Sequence, residues 1–135
     1  MKTVKRYHCI IVDDSPFDCL IAEKVIQNTQ RHLSVTSFQD GGKALDYITG
    51  LGSKPEMDTI IFLDIQMPVM NGFTFVEQFE ELPAEIRRGY GIFFTTSSIN
   101  QNDITRGKSY KSVLNFLNKP LTTANLQQII DKLVQ

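Results

Sequence analysis

Thr59-Ile60-Ile61-Phe62-Leu63-Asp64 decides the fold: an unbroken, mostly β-branched and aromatic run that meets a carboxylate at its end. A strand with one wet face alternates apolar and polar residues, so an unbroken run implies burial on both faces, as inside a parallel sheet. Working outward, Cys9-Ile10-Ile11-Val12 repeats the pattern and ends on Asp13-Asp14. Ile92-Phe93-Phe94 runs into Thr95-Thr96-Ser97-Ser98, and Val113-Leu114-Asn115-Phe116-Leu117 leads through Asn118 to Lys119-Pro120. Leu33 to Phe38 is the remaining strand candidate.

Between these runs the apolar spacing changes to that of helices. Ser15-Pro16 offers an N-cap and a proline at the first helical position, followed by Ile21, Ala22, Val25 and Ile26 on one stripe that fades near Asn28. Asp40-Gly41-Gly42 breaks the second strand before a helix carrying Ala44, Leu45 and Ile48, which Gly50, Gly52 and Pro55 end. Met67-Pro68 and Asn71-Gly72 form a loop before the side defined by Phe73, Val76 and Phe79. Asn100 to Tyr110 is a weak, polar helix candidate, and Thr122 caps a last helix with Leu126, Ile129, Ile130 and Leu133. Five strand–helix units without a repeat or linker predict one domain over residues 1–135. Its fold is expected to be α/β, a doubly wound, flavodoxin-like, five-stranded parallel sheet with helices on both faces. Strand order 2-1-3-4-5 is assumed, with ligands bound beyond the carboxyl ends of the first and third strands.

Composition narrows the classes. The 135 residues are 41% hydrophobic and 21% charged with a net charge of −1, which suits a globular domain and lacks the basic excess of a nucleic-acid binder. The longest apolar runs fall far short of the ~20 residues needed to cross a bilayer. Met1-Lys2-Thr3-Val4-Lys5-Arg6 leads into Tyr7-His8 rather than an apolar signal segment, so a cytoplasmic protein is expected. Cys9, Cys19, His8 and His32 have no partners at metal-ligand spacing and are read as structural or exposed.

In this layout Asp13, Asp14, Asp64, the Thr95-Thr96 pair and Lys119 meet at one edge. Crowded carboxylates repel and need a cation, and magnesium suits an all-oxygen set of carboxylates, a main-chain carbonyl and water. Asp64 is then a candidate nucleophile toward phosphorus, with Lys119 neutralising charge and a threonine hydroxyl donating to a phosphoryl oxygen.

Val12-Asp13-Asp14-Ser15-Pro16, Leu63-Asp64-Ile65-Gln66-Met67-Pro68-Val69-Met70-Asn71-Gly72, the hydroxyl cluster and Phe116-Leu117-Asn118-Lys119-Pro120 together resemble the receiver domains of two-component response regulators, the CheY-like superfamily. The resemblance spans nearly the whole chain. It implies Asp64 as phosphoacceptor, Asp14 as a direct magnesium ligand, Asp13 as a ligand through water and Gln66 as a ligand through its backbone carbonyl. It further implies a phosphoryl contact for Lys119, a cis bond before Pro120, a switch hydroxyl on Thr96 (Thr95 as the alternative) and an aromatic switch at Phe116. Asn71 stands where an aspartate is common, Ser97 where alanine is, and Phe116 where tyrosine is frequent; none removes a metal or phosphoryl contact.

The implied function is a phosphorelay switch rather than an enzyme, at most catalysing its own phosphotransfer and dephosphorylation. It would take its phosphoryl group from a histidine kinase or histidine phosphotransfer protein and act on a downstream protein, as a monomer or weak dimer without nucleic acid or membrane. No output domain is visible before Gln135, unless the chain is part of a longer protein. A haloacid dehalogenase-like phosphohydrolase is the competing reading, but its second acid, two residues after the nucleophile, is Gln66 here. A pseudo-receiver that binds without phosphorylation is a third, disfavoured by the complete set of chemical residues. Asp18 either extends the acid pocket or, more simply, favours the positive end of the first helix. At least one of Phe17 and Leu20 is expected to be exposed, on a helix that the resemblance makes a docking surface. Glu77, Glu80 and Glu81 read as a solvated helix face.

Overall fold

The computed structural model describes residues 6–29, 33–53, 55 and 58–133. Its strands are β1 (Tyr7–Val12), β2 (Ser34–Phe38), β3 (Asp58–Asp64), β4 (Tyr90–Thr96) and β5 (Val113–Asn118). Its helices are α1 (Pro16–Asn28), α2 (Gly41–Leu51), α3 (Gly72–Glu80), α4 (Ala84–Arg87), α5 (Gln101–Lys108) and α6 (Thr123–Leu133). The strands form one parallel sheet in the order β2-β1-β3-β4-β5. The expected architecture and strand order therefore both hold.

The unbroken runs explain why β3 is central: Ile60 and Phe62 pack on one face and Ile61 and Leu63 on the other, all buried. One face carries Tyr7, Cys9, Ile11, Phe62 and Phe93 against Cys19 and Ile26 of α1 and Leu126, Ile129 and Ile130 of α6. The opposite face joins Ile10, Val12, Leu63 and Phe94 to α2 and to Phe73, Phe75, Val76 and Phe79 of α3. Removing a side chain of this size from water is worth about 1.5–3 kcal/mol, so this double-sided burial fixes the register. In that register Val12 stands beside Leu63, and Asp64 beside Thr95.

Capping residues set where the helices begin. Ser15 Oγ accepts the Asp18 N–H at 3.2 Å, Asp40 accepts from Lys43 N–H, Asn71 from Thr74 N–H, Asn100 from Asp103 N–H and Thr122 from Asn125 N–H. Helix α2 runs through Gly50 to Leu51 and stops at Gly52, whose φ of 71° is the left-handed cap; Gly50 is therefore inside the helix rather than part of its end. Strand β2 begins at Ser34, one residue after Leu33, while β4 extends to Thr96 and takes both threonines into the ladder.

Two expectations need correction. The short α4 adds a helix to the five anticipated, because Pro83 opens a single turn that seats Ile86 in the core. The Glu77–Glu81 face is not simply solvated. Glu77 accepts from Tyr110 Oη at 2.5 Å and pairs with Arg106 at 3.4 Å, and Glu80 accepts the Ser112 N–H at 2.8 Å. These carboxylates link α3 to α5 and to the turn before β5, while α5 itself packs through Gly107 against Phe116 and Phe94. Phe17 and Leu20 are both exposed as expected. His8 is half-buried between the Ser34 and Thr36 hydroxyls, whereas His32 lies outside the described residues.

Candidate functional site

The carboxyl ends of β1, β3, β4 and β5 deliver the predicted residues to one edge. Asp13 follows β1, and its N–H donates to the Phe38 carbonyl of β2 at 3.0 Å. Asp64 is the last residue of β3, and the next N–H, that of Ile65, donates to the Thr95 carbonyl. Both carboxylates are buried, whereas Asp14 is exposed beside them. Ligand atoms of Asp13, Asp14 and Asp64 all lie within 4.8 Å of one another. That is an all-oxygen donor set of the size a hard divalent cation takes, with no sulfur or imidazole in it.

Lys119, half-buried just beyond β5, faces these acids. Its Nζ lies 2.8 Å from Asp13 Oδ2, 3.0 Å from Asp18 Oδ2 and 3.4 Å from Asp64 Oδ1. The Lys119-Pro120 bond is cis, as the family resemblance implied. Further hydrogen bonds fix the acids: Asp13 Oδ1 accepts the Ser15 N–H at 2.9 Å and Asp64 Oδ1 the Gln66 N–H at 3.3 Å. Gln66 is exposed at the mouth of the site.

The charges are unbalanced. Burial, and then the negative charge of Asp13, push the Asp64 pKa up to about 6, against the opposing pull of Lys119 and the Gln66 N–H. For Lys119, burial alone would lower the pKa. Hydrogen bonds to Asp13 and Asp18 and the charges of Asp13 and Asp64 outweigh it, so the ammonium is held more firmly than usual. One lysine facing Asp13, Asp14, Asp18 and Asp64 leaves an excess of negative charge. A site that raises a carboxylate's pKa in this way favours a cation.

The two threonines sit on opposite faces of β4, as alternation requires. Thr95 is in register with Asp64 and lines a narrow cavity with Asp13, Asp18 and Lys119. Thr96 shares the face of Phe94, whose ring lies 5.3 Å from that of Phe116. Its Oγ1 accepts the Ser98 N–H at 3.2 Å, and its carbonyl accepts the Lys119 N–H at 2.8 Å. Phe116 is half-buried against α5 at Gly107.

Sequence reasoning left Asp18 undecided, favouring the helix end. The structure gives it both positions: the first turn of α1 and a direct ion pair with Lys119 across 101 residues of chain. The cheap signal was its place one helical turn after the acid pair, which suffices for reach but not for partner. In the sequence Gly72 reads only as a turn residue. It is also the point where α3 touches β3, its N–H donating to the Ile65 carbonyl at 2.8 Å. Val69 carried no signal, yet it takes a φ of 68°, with the Met70 N–H bonded to the Pro68 carbonyl around it at 2.7 Å.

Comparison with known proteins agrees with this geometry. A response regulator receiver protein of Dyadobacter fermentans is 32% identical and superposes with a TM-score of 0.84, over 93% of this chain and 96% of that one. A two-component response regulator of Cytophaga hutchinsonii, at 23% identity, has a TM-score of 0.84 over 96% and 98% of the two chains. The chemotaxis protein CheY4 of Vibrio cholerae, also 23% identical, gives 0.76 over 94% and 98% and speaks for the fold alone. Among curated sequences, the two-component response regulator ARR8 of Arabidopsis thaliana is 28% identical over 98 residues, 62% of this chain. The chain spans less than half of that relative, the matched part being 43% of it. The sequence model of the response regulator receiver domain family matches residues 9–131, nearly the entire chain, and with the parallel sheet and its acidic edge it establishes that this protein belongs to the receiver domains of two-component response regulators.

Proposed function

We propose that Asp64 accepts a phosphoryl group from a phosphohistidine of a histidine kinase or histidine phosphotransfer protein, and that the resulting aspartyl-phosphate changes the protein's affinity for a downstream protein. The observation that carries this reading is the position of the Asp64 carboxylate: buried at the end of the central strand, within a cluster of three acids, and 3.4 Å from Lys119. A carboxylate oxygen of Asp64 would form the new O–P bond as the N–P bond of the donor breaks, its electron pair remaining on the imidazole nitrogen. Lys119 Nζ already lies 3.4 Å from Oδ1 of the carboxylate that would carry the phosphoryl group. It can shift to a phosphoryl oxygen without giving up its proton.

Asp14 and Asp64 would hold magnesium directly, with Asp13 through water and Gln66 through its backbone carbonyl. Magnesium, when bound, neutralises the excess carboxylate charge and the incoming phosphoryl oxygens. Thr96 is the proposed switch hydroxyl. Drawn toward the phosphoryl group, it would exchange its turn with Ser98 for the new acceptor, and the Phe116 ring on the same face would follow inward. The register of Thr95 with Asp64 favours Thr95 as the alternative. One receiver domain over residues 1–135, working in the cytoplasm as a monomer or weak dimer and not as a turnover enzyme, belongs to the same reading.

Incubation with a small acyl phosphate and magnesium, followed by intact mass, tests it. One phosphoryl group should add to the unsubstituted protein and none to Asp64→Asn. Addition that survives Asp64→Asn would identify another acceptor. Among the threonines, Thr96→Ala should leave phosphorylation intact and abolish the change at Phe116, whereas Thr95→Ala should leave both phosphorylation and the change at Phe116 intact.

A further inference from the structure

An ammonium group has three N–H donors, and each of those on Lys119 meets a different carboxylate: Asp13 at 2.8 Å, Asp18 at 3.0 Å and Asp64 at 3.4 Å. Asp18 differs from the other two. It projects from the first turn of α1 rather than from a strand end, and it stands outside the Asp13, Asp14, Asp64 cluster. Its backbone is fixed, because its N–H caps onto Ser15 Oγ and Pro16 opens the helix. Asp13 is already committed. One of its oxygens accepts the Ser15 N–H, and the same carboxylate belongs to the acid cluster, so a cation held there draws on the charge that otherwise restrains Lys119.

We infer that Asp18 is a positioning residue for phosphoryl transfer, anchoring the Lys119 ammonium so that its remaining proton addresses Asp64 and the phosphoryl oxygens that gather there. The inference rests on the reading of Asp64 as acceptor. On a tetrahedral nitrogen, the Cε–Nζ bond and one anchored N–H together determine the directions of the other two N–H groups. The longest of the three contacts, to Asp64, is then the one aimed at the reacting group. Catalysis by a charge in a fixed place depends on that aim, because an ammonium free to swing on its four-carbon stem spends part of its time elsewhere. Without an anchor outside the metal cluster, Lys119 would lose its aim when the cluster fills.

The test compares Asp18→Ala and Asp18→Asn with the unsubstituted protein, using a small acyl phosphate and magnesium and resolving the maximal rate from the half-saturating donor concentration. Asp18→Ala should lower the maximal rate about tenfold. Its half-saturating concentration should stay the same or fall, since a negative charge near an anionic donor is gone. Asp18→Asn keeps an acceptor oxygen and should restore most of the maximal rate, an outcome that a merely stabilising ion pair would not produce. Independently of any phosphorylation, the proton–nitrogen NMR signal of the Lys119 ammonium should be protected in the unsubstituted protein and broaden in Asp18→Ala. An Asp18→Ala maximal rate equal to or above that of the unsubstituted protein overturns the inference. Absence of phosphoryl uptake by the unsubstituted protein overturns the reading of Asp64 itself, and with it the role given to Asp18.

Discussion

Gly107 of α5 and Phe116 of β5 fit together so closely that a β-carbon on Gly107 would overlap the Phe116 ring and crowd Phe94, 3.2 Å away. The missing side chain makes the notch in which the ring rests. Gly107→Ala improves helix propensity by up to ~1 kcal/mol but forces the ring out of that notch. The net result should be a loss of about 1–3 kcal/mol in urea denaturation. In a Phe116→Ala background the same change should be neutral or slightly stabilising. Equal losses in both backgrounds would show that the ring is not the obstruction.

Gly72 is a second close approach, this time to backbone. A β-carbon there would stand 2.7 Å from the Asp64 carbonyl oxygen, 2.8 Å from the Phe94 ring and 3.0 Å from the Ile65 α-carbon. Main-chain atoms cannot rotate aside, so Gly72→Ala should cost about 2–3 kcal/mol. It should also slow phosphoryl uptake, because the strain falls on Asp64 itself. Denaturation and intact-mass time courses on the same sample measure the two effects together.

Val69 offers the opposite sign. A β-branched residue at a φ of 68° is strained, and its side chain is wholly exposed, so replacing it removes no packing. Val69→Gly should relieve the ~1–2 kcal/mol that left-handed backbone costs an L-residue, offset in part by the greater freedom of glycine in the unfolded chain. A net gain of about 0.5–1 kcal/mol in urea or thermal denaturation is expected.

The raised pKa of Asp64 makes stability depend on pH in the metal-free protein. Its folded-state value, about 6 against an ordinary 3.8, means that folding retains the proton and disfavours the charge. The favourable contribution is full below about pH 4 and is lost as pH rises through about 6, a change of up to roughly 3 kcal/mol. With chelator present, Asp64→Asn should therefore be more stable than the unsubstituted protein at pH 8 and lose that advantage near pH 4. Comparing the two proteins cancels His8, whose pKa is lowered by burial and which destabilises the fold as pH falls. Urea titrations at both pH values supply the measurement.

What the sequence made legible follows from the range of each cause. The runs Cys9–Val12 and Thr59–Leu63 announced buried parallel strands because burial on two faces leaves no room for a polar residue, and acids at their ends then had to converge. Ser15-Pro16 and Thr122 announced helix starts because capping is local, whereas Asn71 and Asn100, whose side chains cap α3 and α5, carry no such signal in a loop and in a weak polar segment. Asp18 was ambiguous because its partner lies on another element, and whether a carboxylate reaches a lysine is decided by packing. The glutamates of α3 looked solvated for the same reason, since Tyr110, Arg106 and Ser112 come from beyond β4. The positive φ of Val69 ran against residue preference, and Ile86 lay on too short a segment for any periodicity to register.

The hydrogen bond from the Lys119 N–H to the Thr96 carbonyl has a mechanical consequence. The lysine beside the proposed phosphoacceptor and the proposed switch threonine are stitched to each other through the main chain at 2.8 Å. Asp64, by contrast, is wedged against Gly72 and α3. Thr95 and Thr96, neighbours on β4, thus face two ways along the main chain: the Thr95 carbonyl accepts the Ile65 N–H beside Asp64, and the Thr96 carbonyl accepts the Lys119 N–H, so β4 is the strand through which the acid side and the lysine side of the site are joined.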